Sequence, residues 1–187
     1  MTKHLFIVLG AAGLILAGTA LAQNAPNPRV LMKTTMGDIT IELYPAKTPV
    51  TVKNFLSYVE DKFYDGTIFH RVIPDFMIQG GGYTAQMAEK TAKAPIKNET
   101  TSGVKNVRGA IAMARMNALD SATCQFYINT VDNPGLDDAK YCAFGKVVAG
   151  MDVVDAIAAV KTGNRNGHQN VPVQPVTILS VRVINGG

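Results

Sequence analysis

The sequence is poor in the residues on which metal, redox and disulfide chemistry depend. Its 187 residues include no tryptophan, two cysteines and three histidines. Two cysteines are too few for a disulfide scaffold, and without a Cys-x-x-Cys pair they predict neither a redox motif nor a zinc motif. The histidines and cysteines are also too widely spaced to predict a clustered metal site. We therefore expect no metal site.

Charge is sparse as well. Asp, Glu, Lys and Arg make up 17% of the chain, the net charge is +4, and no run of Lys or Arg occurs. A nucleic-acid-binding surface is therefore not expected. Apolar residues make up 47% of the chain, which excludes an intrinsically disordered protein, and the 17 glycines follow no Gly-x-y period, which excludes a collagen-like one. The length and the lack of internal repeats predict one domain.

Residues 1–22 have the pattern of a signal peptide. A short basic start precedes an apolar run from 5 to 17, and Ala20-Leu21-Ala22 places small residues where a signal peptidase reads them. A retained membrane helix is the alternative, but no Lys or Arg flank follows the run to stop its transfer. We expect cleavage before Gln23, export, a polar lead-in at 23–28 and no stable membrane insertion afterwards.

Export leaves two interpretations of the cysteines open. An oxidising compartment permits a disulfide between Cys124 and Cys142. Two buried thiols that act as small apolar side chains fit the sequence equally well.

From residue 29 onward the hydrophobic pattern is mostly that of short strands. Ile39, Ile41 and Leu43 alternate with polar residues, which predicts a strand with one buried face. One helix is predicted to follow Thr48 as its N-cap, with Val52, Phe55, Leu56 and Val59 as an apolar stripe that packs on a sheet. A second helix is predicted to span about 151–160. Strands are expected at 30–35, 38–44, 68–73, 76–79, 110–115, 125–130, 143–148 and 176–184, with a loop at 163–169. Many short strands with two helices favour a helix-capped β-barrel over a βαβ sheet.

The segment from 69 to 82 carries the densest chemical signal. Arg71 lies between apolar neighbours, where its five donors need acceptors or a ligand. A purely structural arginine satisfies the same pattern, so this residue alone assigns no function. Gly80-Gly81-Gly82 lacks the Lys-Ser/Thr of a phosphate-binding loop, and we interpret it as a strand end that another backbone approaches closely.

Four sequence blocks follow one another along the chain. The first is Phe69-His70-Arg71-Val72-Ile73-Pro74 with Phe76-Met77 and Gln79-Gly80-Gly81, and the later ones are 109–115, Ser121-Ala122-Thr123 with 125–128, and 144–147. These blocks in this order resemble those of one known family, the cyclophilin-type peptidyl-prolyl isomerases. The resemblance covers the chain from Val30 to about Ile184. It implies a mainly β fold, a closed eight-stranded antiparallel β-barrel capped by two α-helices, over 29–187. The exported single-domain form resembles the periplasmic cyclophilins of Gram-negative bacteria, which implies that location.

The resemblance also implies a reaction, cis/trans isomerisation of X-Pro bonds without a cofactor. The implied substrates are unfolded or extended proline-containing polypeptides, and the implied state is a monomer. Arg71 matches the family's catalytic arginine. The matching substrate-binding residues are Phe76, Met77, Phe126 and Leu136 in the apolar proline pocket, Gln79 and Tyr141 as polar contacts, and Ala114 and Arg115 on the strand where the peptide pairs.

Two positions depart from the family's pattern. Gly135 stands where many members carry an aromatic side chain associated with cyclosporin contact, so we expect weak cyclosporin binding with isomerisation retained. Met116 is larger than expected for the groove wall and is expected to narrow the choice of substrate.

Two other function classes compete with the isomerase. A binding module or chaperone would hold proline-containing chains with isomerisation incidental, but such a module has no need of the buried Arg71. A Ser-His-Asp hydrolase would have to use Ser121 with His70 or His168, and the chain lacks a Gly-x-Ser-x-Gly elbow.

Overall fold

Alternating apolar and polar residues build one antiparallel sheet in residues 26–184, the part of the chain that the computed structural model describes. Its eight strands are β1 (Arg29–Thr34), β2 (Gly37–Leu43), β3 (Thr67–Ile73), β4 (Met77–Thr84), β5 (Ala110–Met113), β6 (Phe126–Asn129), β7 (Ala143–Ala149) and β10 (Ile178–Ile184). A separate hairpin pairs β8 (Thr162–Arg165) with β9 (His168–Pro172). The helices are α1 (Pro49–Glu60), α2 (Pro134–Asp138) and α3 (Met151–Ala158). The expected signal peptide at 1–22 lies outside the described residues.

The sheet curls into a barrel that is not fully closed. Its strand order is β10-β1-β2-β7-β5-β6-β4-β3, so β10 and β3 are the edges. The edges meet through two hydrogen bonds, from the Gly66 N–H to the Ile178 carbonyl at 2.9 Å and from the Phe69 N–H to the Val176 carbonyl at 3.0 Å. Because these contacts do not form a continuous ladder, the expected closed barrel is a slight overstatement.

The helix α1 begins where the sequence predicts, but its cap comes from elsewhere. Thr48 occupies the N-cap position, yet its hydroxyl donates to the Tyr44 carbonyl at 3.2 Å and caps nothing. The Glu99 carboxylate accepts instead from the backbone N–H groups of Val50 at 3.1 Å and Thr51 at 2.8 Å. A carboxylate at this end is favoured by the free N–H groups and by the helix dipole.

The apolar stripe of α1 packs on the inner face of the sheet. Of the predicted stripe, Val52, Phe55 and Val59 are buried and Leu56 is half-buried. Phe126 meets this stripe from β6, with its ring centroid 5.9 Å from that of Phe55 in an edge-to-face arrangement. A buried ring of this size stabilises the fold by roughly 1.5–3 kcal/mol. Phe126 is therefore part of the barrel core.

The glycine run confirms the predicted close approach of another backbone, because a Cβ at Gly80 would lie 2.9 Å from the Ile68 carbonyl oxygen. It is not the predicted strand end, since β4 continues through it to Thr84. Gly81 has φ +87°, and a Cβ at this position would lie 2.8 Å from the Phe126 ring and 2.9 Å from the Tyr64 ring. Only glycine fits both the backbone conformation and the space.

Two connections are more ordered than the sequence predicts. The expected loop at 163–169 forms most of the β8–β9 hairpin, and α2 is a short third helix where none was predicted.

Cys124 and Cys142 are both free, buried thiols. Burial raises the pKa of each thiol, which disfavours the reactive thiolate. Among residues 26–184, no helix has the length and apolar character needed to cross a membrane.

Candidate active site

A cavity of about 200 Å³ opens on the outer face of β3, β4 and β6. Arg71 pairs with Gln79 across β3 and β4, and Gln79 pairs with Tyr127 across β4 and β6. Paired residues on neighbouring strands share a face of the sheet, so these three side chains line one wall. The full lining is Arg71, Phe76, Met77, Gln79, Ala114, Arg115, Tyr127, Leu136 and Tyr141. All but one of the site residues predicted from the sequence therefore come together.

Phe126 is the exception, and the prediction for it was wrong. Its partner across the ladder is Gly80, one step from the Gln79–Tyr127 pair, so its side chain points into the barrel. It is fully buried in the core, and its neighbour Tyr127 lines the cavity instead. Side chains alternate between the two faces of a strand, so an assignment that is wrong by one residue puts a core residue in the cavity. Met77 and Gln79 lie two residues apart and therefore share a face of β4. Because Gln79 pairs with Tyr127, that face selects Tyr127 and not Phe126.

A chain of polar side chains orients Arg71. Its Nη1 lies 3.4 Å from Oε1 of Gln79, and Nε2 of Gln79 donates to Oε1 of Gln125 at 2.9 Å. Arg71 is half-buried, and no carboxylate pairs with it within residues 26–184. The guanidinium therefore keeps donors available at the cavity.

Beneath the cavity, Asn106 connects the wall that contains Tyr127 to the backbone of Tyr141 on the opposite side. The Asn106 side chain accepts from the Tyr127 hydroxyl at 2.8 Å and from Nδ2 of Asn129 at 3.2 Å. Its own Nδ2 donates to the Asp137 carboxylate at 2.9 Å and to the Tyr141 carbonyl at 3.0 Å. Burial raises the pKa of the Tyr127 hydroxyl well above its ordinary value, so the hydroxyl stays a donor. The sequence analysis missed Asn106, because nothing local marks a residue whose partners are distant in the chain.

Arg115 and Tyr141 form the opposite wall. The Arg115 guanidinium lies 4.5 Å from the centre of the Tyr141 ring and donates to the Met116 carbonyl at 2.8 Å and the Ala139 carbonyl at 2.5 Å. Within residues 26–184, no hydrogen bond engages the main-chain N–H or carbonyl of Arg115. Met116 itself is 80% exposed and outside the lining, and its expected effect on the choice of substrate stays a prediction.

The cavity has no acidic residue in its lining. In the described part of the chain, no group of three or more His, Cys, Asp or Glu side chains is arranged to bind a metal ion. The cavity lining therefore provides hydrogen-bond donors beside an apolar surface.

Comparison with known proteins identifies the family. The model of the cyclophilin type peptidyl-prolyl cis-trans isomerases matches residues 29–183. The chain belongs to this family. A peptidyl-prolyl cis-trans isomerase of Acinetobacter baylyi is 56% identical over 98% of this chain and 96% of its own. Peptidyl-prolyl cis-trans isomerase B of Escherichia coli is 52% identical over 82% of this chain and 98% of its own. This cyclophilin is thus an enzyme, a peptidyl-prolyl cis-trans isomerase.

Solved structures show the same fold. A Cryptosporidium parvum cyclophilin-type peptidyl-prolyl cis-trans isomerase superimposes with a TM-score of 0.74 at 24% identity, over 86% of this chain and 99% of that one. The same protein is known in the presence of the dipeptide Ala-Pro, with a TM-score of 0.73. The barrel of this cyclophilin is therefore the family's fold.

Proposed function

We propose that the 200 Å³ cavity is the active site and that Arg71 stabilises the twisted X-Pro amide within it. Amide conjugation makes the rotation barrier about 18–20 kcal/mol, and uncatalysed X-Pro rotation takes tens of seconds or more. In the twisted transition state the proline nitrogen regains its lone pair and becomes a better hydrogen-bond acceptor. A donor fixed beside that nitrogen stabilises the transition state more than either planar form, which lowers the barrier.

One observation carries this proposal: Arg71 reaches the cavity without a carboxylate partner within residues 26–184. The contact of 3.4 Å with Gln79 holds the guanidinium in place, so little reorganisation is needed during the reaction. A structural arginine would be expected to spend its donors on protein acceptors.

The rest of the lining suits an extended proline-containing chain. Phe76, Met77 and Leu136 offer an apolar surface for the proline ring. The unengaged main chain of Arg115 offers one N–H and one carbonyl for strand-like pairing with substrate. The related structure with Ala-Pro supports a proline-containing ligand.

The experiment measures isomerisation of a short X-Pro peptide by exchange NMR, which follows the cis and trans forms directly. We expect Arg71→Ala to lose about 10²-fold in kcat/KM, the range found for loss of one transition-state donor. Arg71→Lys should fall between the two, because it keeps the charge without the planar fork. Arg29→Ala, an arginine on β1 outside the cavity, is the matched control. Peptide binding without acceleration by the wild type would favour the binding module instead.

We also propose that the enzyme is exported to the periplasm and acts there as a monomer on other exported proteins. The basic start, the apolar run and the small residues before Gln23 support export. Mass measurement of the protein from a periplasmic extract should find a chain that begins at Gln23. Sedimentation of that chain should give one subunit's mass, and a full-length or dimeric species would contradict the respective point.

A further inference from the structure

A second cavity, of about 380 Å³, adjoins the proposed active site and shares Arg71 and Gln79 with it. Its other walls are polar and come from β3, β4 and the β8–β9 hairpin, with His70, Tyr83 and His168 among them. The Tyr83 ring lies between the two imidazoles, with its centre 4.7 Å from that of His70 and 5.1 Å from that of His168. An extended substrate that passes Arg71 therefore has polar space beside it.

A β-bulge turns His70 toward this cavity. Phe69 pairs with Gly80 and Arg71 pairs with Gln79, so two steps along β3 match one step along β4 and His70 is the extra residue. Bulges of this kind redirect side chains and are frequent beside active sites. As a result, the consecutive residues His70 and Arg71 both line the second cavity.

The buried imidazole of His70 has an unused polar atom. His70 is 4% exposed, and its Nδ1 has no hydrogen-bond partner within residues 26–184. Nearly all buried polar atoms in proteins are paired. Nδ1 is closed to solvent and does not itself meet a ligand, so His70 contributes to the cavity as a lining residue. Burial, with smaller effects of His168 and Arg71, lowers the pKa of His70 to about 4, so the imidazole is neutral at neutral pH and one ring nitrogen carries a proton.

The charge of the lining selects the kind of ligand. Arg71 is its one formally charged residue, and no Asp or Glu belongs to it. Glu89 lies outside the lining, although it is bridged to Tyr83 through the backbone, and burial together with the Glu89 carboxylate raises the pKa of the Tyr83 hydroxyl. A lysine side chain would meet the Arg71 charge without a counter-ion, and an apolar side chain would leave the polar walls desolvated and unpaired. A carboxylate can accept hydrogen bonds from Arg71, an imidazole N–H and the side-chain amides of the wall.

We propose that this second cavity is a subsite that binds an acidic side chain, Asp or Glu, close to the proline of the substrate. The proposal rests on the proposed function of Arg71 and adds a preference to it. The arrangement does not fix whether the acidic residue precedes or follows the proline, so the test covers both sides.

The test compares a peptide Ala-Ala-Ala-Pro-Ala-Ala with variants that carry Glu, Gln or Lys at each of the two positions before and after the proline. At one position we expect kcat/KM for Glu to exceed that for Lys by about tenfold, with Gln between them. His168→Ala and His70→Phe should bring the Glu-to-Ala ratio down towards one, whereas Lys53→Ala, which removes a positive charge on α1, should keep it. His168 is on the hairpin, so this variant tests the subsite even where His70→Phe fails to fold.

Imidazole NMR signals give a second readout. The His70 and His168 resonances should move when the Glu peptide binds and move less with the Ala peptide. Equal kcat/KM for Glu, Gln and Lys at every position, with catalysis intact, would overturn the subsite and leave the proposed function standing. A wild type that accelerates none of the peptides would overturn both.

Discussion

The side chain of Asn106 should contribute more to the free energy of unfolding than any one of its hydrogen bonds would alone. It is 1% exposed, and it makes four side-chain hydrogen bonds, to Tyr127, Asn129, Asp137 and the Tyr141 carbonyl. Asn106→Ala leaves the Tyr127 hydroxyl and one Asn129 N–H buried without their acceptor. Because each such orphan costs about 1–3 kcal/mol, we expect the free energy of unfolding to fall by about 3 kcal/mol.

Removal of the donor, the Tyr127 hydroxyl, should lower the free energy of unfolding much less than removal of the Asn106 side chain. In Tyr127→Phe the side-chain oxygen of Asn106 still accepts from Nδ2 of Asn129 at 3.2 Å, so we expect the free energy of unfolding to fall by about 1 kcal/mol. In the double variant the orphaned hydroxyl no longer exists. Asn106→Ala should therefore cost about 1 kcal/mol less when Tyr127→Phe is already present than in the wild type, which is a coupling that additive effects do not produce.

Urea unfolding of the four proteins measures this coupling. The m-value should stay constant, because the variants change contacts and not the surface exposed on unfolding. Asn164→Ala, which removes an exposed asparagine on the β8–β9 hairpin, is the control and should change the stability by less than about 0.5 kcal/mol. Effects of Asn106→Ala and Tyr127→Phe that add within about 0.5 kcal/mol would refute the network as the source of the stability.

The same variant separates positioning from chemistry. Asn106 holds Tyr127 in one wall and the backbone of Tyr141 in the opposite wall, whereas Arg71 is held by Gln79 from β4. We therefore expect Asn106→Ala to raise KM several-fold, on the order of one or two lost hydrogen bonds, with a smaller change in kcat. An unchanged KM with a collapsed kcat would show that Asn106 acts on Arg71 after all.

Two further predictions concern pH and cyclosporin. The pKa of His70 in the folded protein, about 4, lies below the ordinary 6.5, so the unfolded chain takes up this proton first as the pH falls. The free energy of unfolding should therefore decrease between pH 6.5 and pH 4, by about 3 kcal/mol in total. Urea unfolding of His70→Phe at several pH values should lack this decrease. Wild-type enzyme should bind cyclosporin weakly, and Gly135→Trp should bind it about tenfold more tightly, because a Cβ at Gly135 meets nothing within 4 Å and the new ring adds a wall. Because the natural chain has no tryptophan, quenching of the fluorescence of the introduced tryptophan side chain measures cyclosporin binding at that position. Equal cyclosporin affinity of the variant and the wild type would show that the missing ring at Gly135 does not cause the weak binding.

Local patterns predicted those parts of the fold that local physics decides. The alternation of Ile39, Ile41 and Leu43 indicated a strand with one buried face, and these side chains are fully buried in β2. The stripe on α1 was found for the same reason, because its apolar spacing is helical. The cap of α1 was not predictable, since Glu99 lies almost fifty residues away and only the tertiary fold brings it to Thr51. The buried bonds of Asn106 escaped sequence reasoning in the same way.

The candidate site shows where strict alternation fails. On a regular strand, Phe69 and Arg71 would share a face and Val72 would lie on the other. The bulge at His70 breaks this rule, so that Phe69 and Val72 both enter the core and His70 and Arg71 both face outward. A barrel wall with regular pleating would either bury the guanidinium in the apolar core or expose one of those apolar side chains, and both are costly. The extra residue in β3 therefore lets a stable core and an outward-facing arginine come from neighbouring positions, and it places an imidazole beside that arginine.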